Sequence, residues 1–375
     1  MLQYEKDFNI AVLAGFDKDV ARQRRRNKII VRNVTDKNVI WNTGGAINMN
    51  ISEIAKMAGV SSAAVSRYFN NGYISEEKRE AIRKVVEETG YRPSIQAQTL
   101  RTKKNKMIGV ILPKINSEAI GSVVAGIYQV LNENGYQLLL TDTQNDPKKE
   151  LEYLSVFNEK MVDGVIFIAT VFTTAHKQAL KNLTVPVVIV GQRLAGYHCV
   201  YHDDYHAIYD MTRLVLKKGR KKLGFISAFH QDQAAGLNRY QGYRDAVREA
   251  GLPDLADQYV IASFDMESGY EKGKELWEDF KELDGIICAT DTMAIGVIQY
   301  LREQNIKIPE HVMITGHGNT NLSRVVTPSL TTVQFSYEES GDMAAKMLID
   351  IINKKDTAVK EIKMGYRIVE NGSTM

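Results

Sequence analysis

With 375 residues, 44% hydrophobic and 25% charged, the chain has room for a small and a large domain and reads as globular, not disordered or fibrous. No apolar run is long enough to span a bilayer and no charged-then-apolar leader is visible. Only two cysteines occur, Cys199 and Cys288, so a reducing cytoplasm is expected and a disulfide framework is not.

The net charge of +3 is unevenly spread. Residues 1–48 hold nine Lys/Arg against five Asp/Glu and residues 49–106 hold eleven against six, which leaves the remainder at −6. A basic front on an acidic body points to a polyanion partner at the front only. Residues 1–48 show a short apolar patch at 10–13, a basic run at Arg22-Gln-Arg-Arg-Arg26 and no sustained period. One reading is a basic arm on phosphate. The preferred one is a true start at Met49, because Thr43-Gly44-Gly45 can be encoded by a ribosome-binding sequence a suitable distance upstream.

Two short helices follow. Asn50 and Glu53 have capping-box spacing, Ile54, Ala55 and Ala58 share a face, and Gly59 sits where a left-handed terminator is needed. Val60 plugs the joint. Ser61 caps a second helix that carries Val65 and Phe69 inward and Ser62, Ala63, Ser66 and Arg67 outward. This is a helix-turn-helix pattern, whose second helix enters the major groove of DNA; an ordinary helical hairpin is the bland alternative. Small outward residues suit close approach to bases. Asn70-Asn71-Gly72 forms a turn, Ser75 is expected to cap a third helix, and Ala81, Ile82, Val85 and Val86 form its packing stripe up to Gly90. Pro93 suits the first turn of a short helix over 94–100, too short to stand without a partner or DNA.

The run Ile54-Ala-Lys-Met-Ala-Gly-Val-Ser-x-x-x-Val-Ser-Arg-x-x-Asn70 resembles the signature of the lactose-repressor (LacI) family of bacterial transcription regulators. Gly90-Tyr-Arg-Pro-Ser-Ile-Gln-Ala-Gln-Thr-Leu100 resembles that family's hinge helix. The resemblance implies a homodimer on operator DNA, with paired hinge helices in the minor groove. Ser62, Ala63, Ser66 and Arg67 would then read bases, Asn70 and Tyr91 would hold phosphate, and Ser94, Ala97 and the wedge Leu100 would sit at the operator centre. No heptad tail follows Glu370, which favours a dimer over a tetramer.

From Met107 the pattern becomes α/β. Strands are expected at 107–112, 137–141, 164–169 and 187–190, then at 223–227, 258–261, 285–289 and 312–315, all read as buried and separated by amphipathic helices. Such alternation predicts parallel sheets covered on both faces, and two series predict two lobes with a ligand site at the strand ends between them. The resemblance adds a periplasmic-binding-protein-like core whose chain crosses between lobes three times.

Strand exits supply Lys114, Asn116, Ser117, Glu118, Ala169, Gln192, Ala235, Gly236, Arg239, Phe264, Thr290, Asp291 and Asn319. Amides, hydroxyls and charged groups with one aromatic suit a polyhydroxylated sugar. The resemblance implies sugar contact by Arg239, in Arg-x-x-Gly-Tyr, and by Asp291. Stretches such as Cys199-Val-Tyr-His-Asp-Asp204 and Cys288-Ala-Thr-Asp-Thr-Met-Ala-Ile-Gly296 resemble the trehalose-responsive branch, whose effector is trehalose 6-phosphate with trehalose as a related ligand. That branch has arginines where this chain has Lys114 and Gln192. Lys114 can serve a phosphate as a point charge but Gln192 cannot, and the adjacent Arg193 is expected to point elsewhere, so a neutral disaccharide stands beside the phosphorylated one.

His198, His202 and His206 with Cys199, Asp203 and Asp204 look like a metal cluster. However, 199–201 reads as a strand entering a turn, which would not converge them, so no metal is expected. Gly316-His-Gly318 lacks the third glycine of a dinucleotide loop, and no nucleophile elbow or carboxylate pair indicates an enzyme or a cofactor. The expectation is a sugar-responsive repressor of a carbohydrate-utilisation operon; the alternative is a sugar-binding protein without regulatory output.

Overall fold

A computed structural model describes residues 49–70, 72–91, 104–252, 258–355 and 358–375. They fall into two compact units, one within residues 1–93 and one within 94–375.

In the first unit, α1 (Ile51–Met57), α2 (Ser62–Phe69) and α3 (Glu76–Thr89) enclose a small core of Ile54, Ala55, Ala64, Val65, Ile82 and Val85. The start of α1 is the expected capping box. Asn50 Oδ1 accepts from the amides of Ser52 (2.9 Å) and Glu53 (3.1 Å), and Glu53 Oε2 accepts from the Asn50 amide at 2.7 Å. Gly59 takes φ +66°, and the Val60 amide reaches back to the Ala55 carbonyl, so the chain leaves α1 in a left-handed turn. Ser61 Oγ accepts from the Ala64 amide at 3.2 Å and starts α2. Ser75 occupies the cap position of α3, but its side chain makes no capping bond there. That start therefore rests on Glu76 and Glu77 against the helix dipole. Gly90 ends α3 at φ +64°.

The second unit contains a six-stranded parallel sheet in the order β11-β5-β4-β3-β1-β2, a four-stranded parallel sheet β7-β6-β8-β9, and an antiparallel ribbon β10-β12. The first sheet is built from β1 (Met107–Leu112), β2 (Gln137–Asp142), β3 (Gly164–Ile168), β4 (Val187–Val190), β5 (His198–His202) and β11 (Glu361–Met364). It is covered by α4 (Glu118–Glu133), α5 (Pro147–Val156), α6 (Thr174–Lys181) and α12 (Tyr337–Ile352). The second is built from β6 (Leu223–Ser227), β7 (Tyr259–Ile261), β8 (Gly285–Cys288) and β9 (Met313–Thr315). Its helices are α7 (Asp204–Lys217), α8 (Arg239–Glu249), α9 (Met266–Asp279), α10 (Asp291–Glu303) and the short α11 (Asn321–Val325). The ribbon pairs β10 (Thr332–Phe335) with β12 (Tyr366–Val369).

Sheet order explains where the expected burial fails. β1, β3, β4, β6 and β8 are central and buried, whereas β2 and β7 are edge strands with half-buried and exposed residues, not the buried strands expected. The helix expected over 147–160 ends at Val156 and continues as a wider turn, Phe157–Met161. The chain crosses between lobes between β5 and α7, between β10 and α12, and between β11 and β12, so the C-terminal segment contributes to both lobes. Three helix pairs pack backbone against backbone. A Cβ on Gly126 would lie 2.0 Å from the Glu338 carbonyl oxygen, one on Gly242 2.3 Å from that of Tyr205, and one on Gly296 2.2 Å from that of Met266.

Candidate functional site

The outer face of α2 is as the sequence indicated: Ser62, Ala63 and Arg67 are exposed and Ser66 is half-buried. Val65 is fully buried, and Phe69 packs edge-on against Tyr91 at 5.7 Å, fixing the helix from beneath. Asn70 is exposed and its amide donates to the Ser66 carbonyl, closing the helix end. Arg67 pairs with no carboxylate among the described residues. The candidates Ser94, Ala97 and Leu100 lie outside the described residues.

Between the two lobes of the second unit lies a cavity of about 510 Å³. Lys114, Asn116, Ser117, Glu118, Ala169, Gln192, Ala235, Arg239, Phe264, Thr290 and Asp291 all line it. Two expected residues do not. Gly236 is buried behind the lining, where a Cβ would strike the Phe229 carbonyl oxygen at 2.1 Å, so its role is close backbone approach. Asn319, at φ +51°, lines a neighbouring open cleft instead.

The bonds inside the cavity divide these residues by task. Asp291 lines the cavity with its carboxylate already engaged. Its carboxylate accepts from the Thr320 amide (2.7 Å), the Thr320 hydroxyl (3.0 Å) and the Thr332 hydroxyl, tying the head of α10 to the crossing segments. Burial pushes its pKa up, against these bonds. Thr290 is occupied in part as the cap of α10, accepting from the Met293 amide. Glu118 accepts from the Asn321 amide at 2.9 Å, and Ser117 caps α4.

Arg239 is buried and donates from Nε (2.8 Å) and Nη2 (2.6 Å) to Asp204 Oδ1 and from Nη1 to the Ala289 carbonyl. Gln192 donates to the Thr170 carbonyl at 3.0 Å and to Asp232 Oδ1 at 2.7 Å. Asp232, which also caps the turn 233–238, is pushed up to about 6 by burial, opposed by its bonds from Ala235 and Gln192. Arg193 is exposed and pairs with Glu361 at 2.6 Å, away from the cavity.

Asp204, Asp232, His202, His317 and Tyr337 line the cavity as well. Three of them meet at Phe335, the last residue of β10. The Phe335 ring lies 4.5 Å from His202, 4.8 Å from His317 and 5.8 Å from Tyr337, and the Arg239 guanidinium stands 6.0 Å above it. The His/Cys/Asp stretch at 198–206 does not converge. His206 Nδ1 bonds Asp203 at 2.8 Å, Cys199 is buried beside Leu194, and His202 faces the cavity floor. Among the described residues no group of three metal-ligating side chains is assembled, and no helix is long and apolar enough to cross a membrane.

Residues 50–94 match the model for bacterial regulatory proteins of the lacI family, and residues 212–374 match that for a periplasmic binding protein-like domain. The chain is 32% identical to the HTH-type transcriptional regulator RegA of Clostridium saccharobutylicum over 87% of this chain and 99% of that one. It is also 32% identical to the sucrose operon repressor of Staphylococcus xylosus, over 81% of this chain and 93% of that one. Among solved structures, the lac repressor dimer bound to operator and an anti-inducer superposes with a TM-score of 0.80 at 17% identity, covering 87% of this chain and 99% of that chain, a likeness of fold. A CelR–cellobiose complex superposes at 0.67 with 24% identity, again covering 87% and 99%. With a helix-turn-helix unit ahead of a two-lobed α/β core, and relatives of this identity and coverage, the chain belongs to the LacI family of bacterial transcriptional regulators.

Proposed function

We propose that this protein is a homodimeric, cytoplasmic repressor that binds operator DNA through α2 and is released by a neutral disaccharide held between its lobes. The observation that carries the effector reading is the charge of the cavity. Glu118, Asp204, Asp232, Asp265 and Asp291 line it against only Lys114 and Arg239, and the Arg239 fork is already spent on Asp204 and the Ala289 carbonyl. A phosphate dianion would meet more carboxylate than cation, with Gln192 and not a guanidinium after β4. Amide, hydroxyl and imidazole groups with Phe264 match hydroxyls and the apolar face of a sugar. The names of relatives, a sucrose operon repressor and a cellobiose-bound regulator, are consistent with a disaccharide.

DNA binding is supported by the exposed Ser62, Ala63 and Arg67 on a capped second helix. A near-palindromic operator follows from two-fold symmetry. Sugar would weaken operator affinity by favouring one lobe arrangement over another. The test is calorimetric titration with trehalose, sucrose, cellobiose and trehalose 6-phosphate, paired with operator gel shifts. Binding of a neutral sugar with loss of the shift is expected. Binding of the phosphorylated sugar alone would reverse the effector assignment, and a sugar-bound protein that never shifts DNA would indicate a binding protein without regulatory output.

A further inference from the structure

We infer that His317 and His202 are specificity-determining residues on the floor of the interlobe cavity, where they read hydroxyl groups of a neutral sugar and disfavour acceptor-only ligands. The inference rests on the sugar-effector reading above and deepens it. His317 follows β9 and His202 ends β5, so the two residues line the cavity from different lobes, with the His317 ring itself covered just beneath the floor. Both are at least nine-tenths buried, at 3% and 8% exposure. Neither nitrogen of His317 has a hydrogen-bond partner among the described residues, and neither does Nε2 of His202. Buried polar atoms without partners are rare because an unpaired one loses its hydration without replacement, so three at the floor of one cavity point to a ligand that completes them.

The surroundings define which ligand. Phe335 packs against both rings and holds them in place. The groups facing them are Asp204, whose Oδ1 is 4.0 Å from His317 Nε2, the Arg239 guanidinium, Asp291 and the Tyr337 hydroxyl. Burial pushes both imidazoles down, reinforced at His317 by Arg239 and opposed at His202 by Asp204, so they are neutral at physiological pH. A neutral imidazole offers one N–H donor and one bare nitrogen acceptor. Sugar hydroxyls donate and accept and can satisfy both; a phosphate dianion or a carboxylate only accepts and leaves the bare nitrogens unpaired. Sites built this way reject ligands that lack the matching group.

The test uses the full chain and its His317→Leu, His317→Gln and His202→Leu variants, with trehalose, sucrose and cellobiose as probes and the ring nitrogens of ¹⁵N-histidine as a second readout. The neutral sugar that binds the parent should bind His317→Leu and His202→Leu at least about tenfold more weakly, while His317→Gln, which restores a donor and an acceptor, recovers most of the loss. The ¹⁵N resonances of His317 should move on sugar addition. Parent-like affinity in His317→Leu, or unmoved His317 resonances in the sugar-bound parent, would overturn this inference and leave the sugar reading standing. A parent that binds none of the probes would overturn both. If His317→Leu fails to fold, the His202 variant and the resonances decide.

Discussion

Gln192 donates to Asp232 at 2.7 Å across the cavity, joining the strand-end loop of β4 in one lobe to the loop after β6 in the other. Because burial has already raised Asp232 to about 6, this contact gives the protein a titrating group at the lobe junction.

Stability should register that titration. The folded protein binds a proton at Asp232 between its ordinary pKa of 3.8 and about 6, where the unfolded chain does not. The associated stability is therefore present below pH 4 and lost as pH rises through 6. Denaturation of the parent and of Asp232→Asn from pH 4 to 7 should show the parent losing on the order of 1–3 kcal/mol relative to the variant. Parallel pH profiles would place the titration elsewhere.

Arg239 and Asp204 form a buried pair, at 8% and 4% side-chain exposure. Arg239→Ala should cost about 3–5 kcal/mol because Asp204 is left buried and unpaired, and adding Asp204→Ala should return part of that loss. A double-mutant cycle by thermal denaturation measures it. Loss of sugar response in the single variant would therefore combine binding with folding, and the double variant separates the two.

For α2, Arg67→Ala should lower operator affinity about tenfold or more while leaving sugar affinity unchanged. Ser62 and Ala63 offer short contacts, so their substitution should alter which operator bases are preferred. Gel shifts against an operator library read both effects, and an unchanged affinity for Arg67→Ala would remove that side chain from the DNA interface.

At the start of α1, Asn50→Ala removes Oδ1, the acceptor for the amides of Ser52 and Glu53, and leaves the bond from the residue-50 amide to Glu53 Oε2. Amide exchange in α1 of the full chain should quicken by an amount corresponding to about 0.5–2 kcal/mol, with the second unit unaffected. Unchanged exchange would mean that packing of Ile54 alone holds the helix.

Local signals were read well from the sequence. The caps at Asn50 and Ser61 and the left-handed Gly59 and Gly90 depend on near neighbours, and central strands such as β1 and β3 declare themselves as apolar runs. Non-local pairing was not legible. The placing of β11 beside β5, of β12 beside β10 and of α12 on the first lobe depends on partners far away in the chain, and no local pattern encodes it. The edge positions of β2 and β7 share this cause. At the cavity, strand-end logic identified the neighbourhood but not the task of each side chain. Asp291 lines the cavity, but its carboxylate is already bonded to Thr320 and Thr332. His202 was weighed as a metal decoy and His317 stood at a strand exit with no task assigned, because burial without a partner is a property of packing that spacing does not carry.

The glycines that let α4 meet α12, α7 meet α8 and α9 meet α10 bring main chain against main chain at those three points, with no room for even a Cβ. Each of these helix pairs is therefore held at a fixed spacing where the glycines meet. The three crossings gather near Phe335, whose ring lies 4.5 Å from His202 and 6.5 Å from Tyr366, so a rotation of one lobe against the other would have to turn about that ring's surroundings.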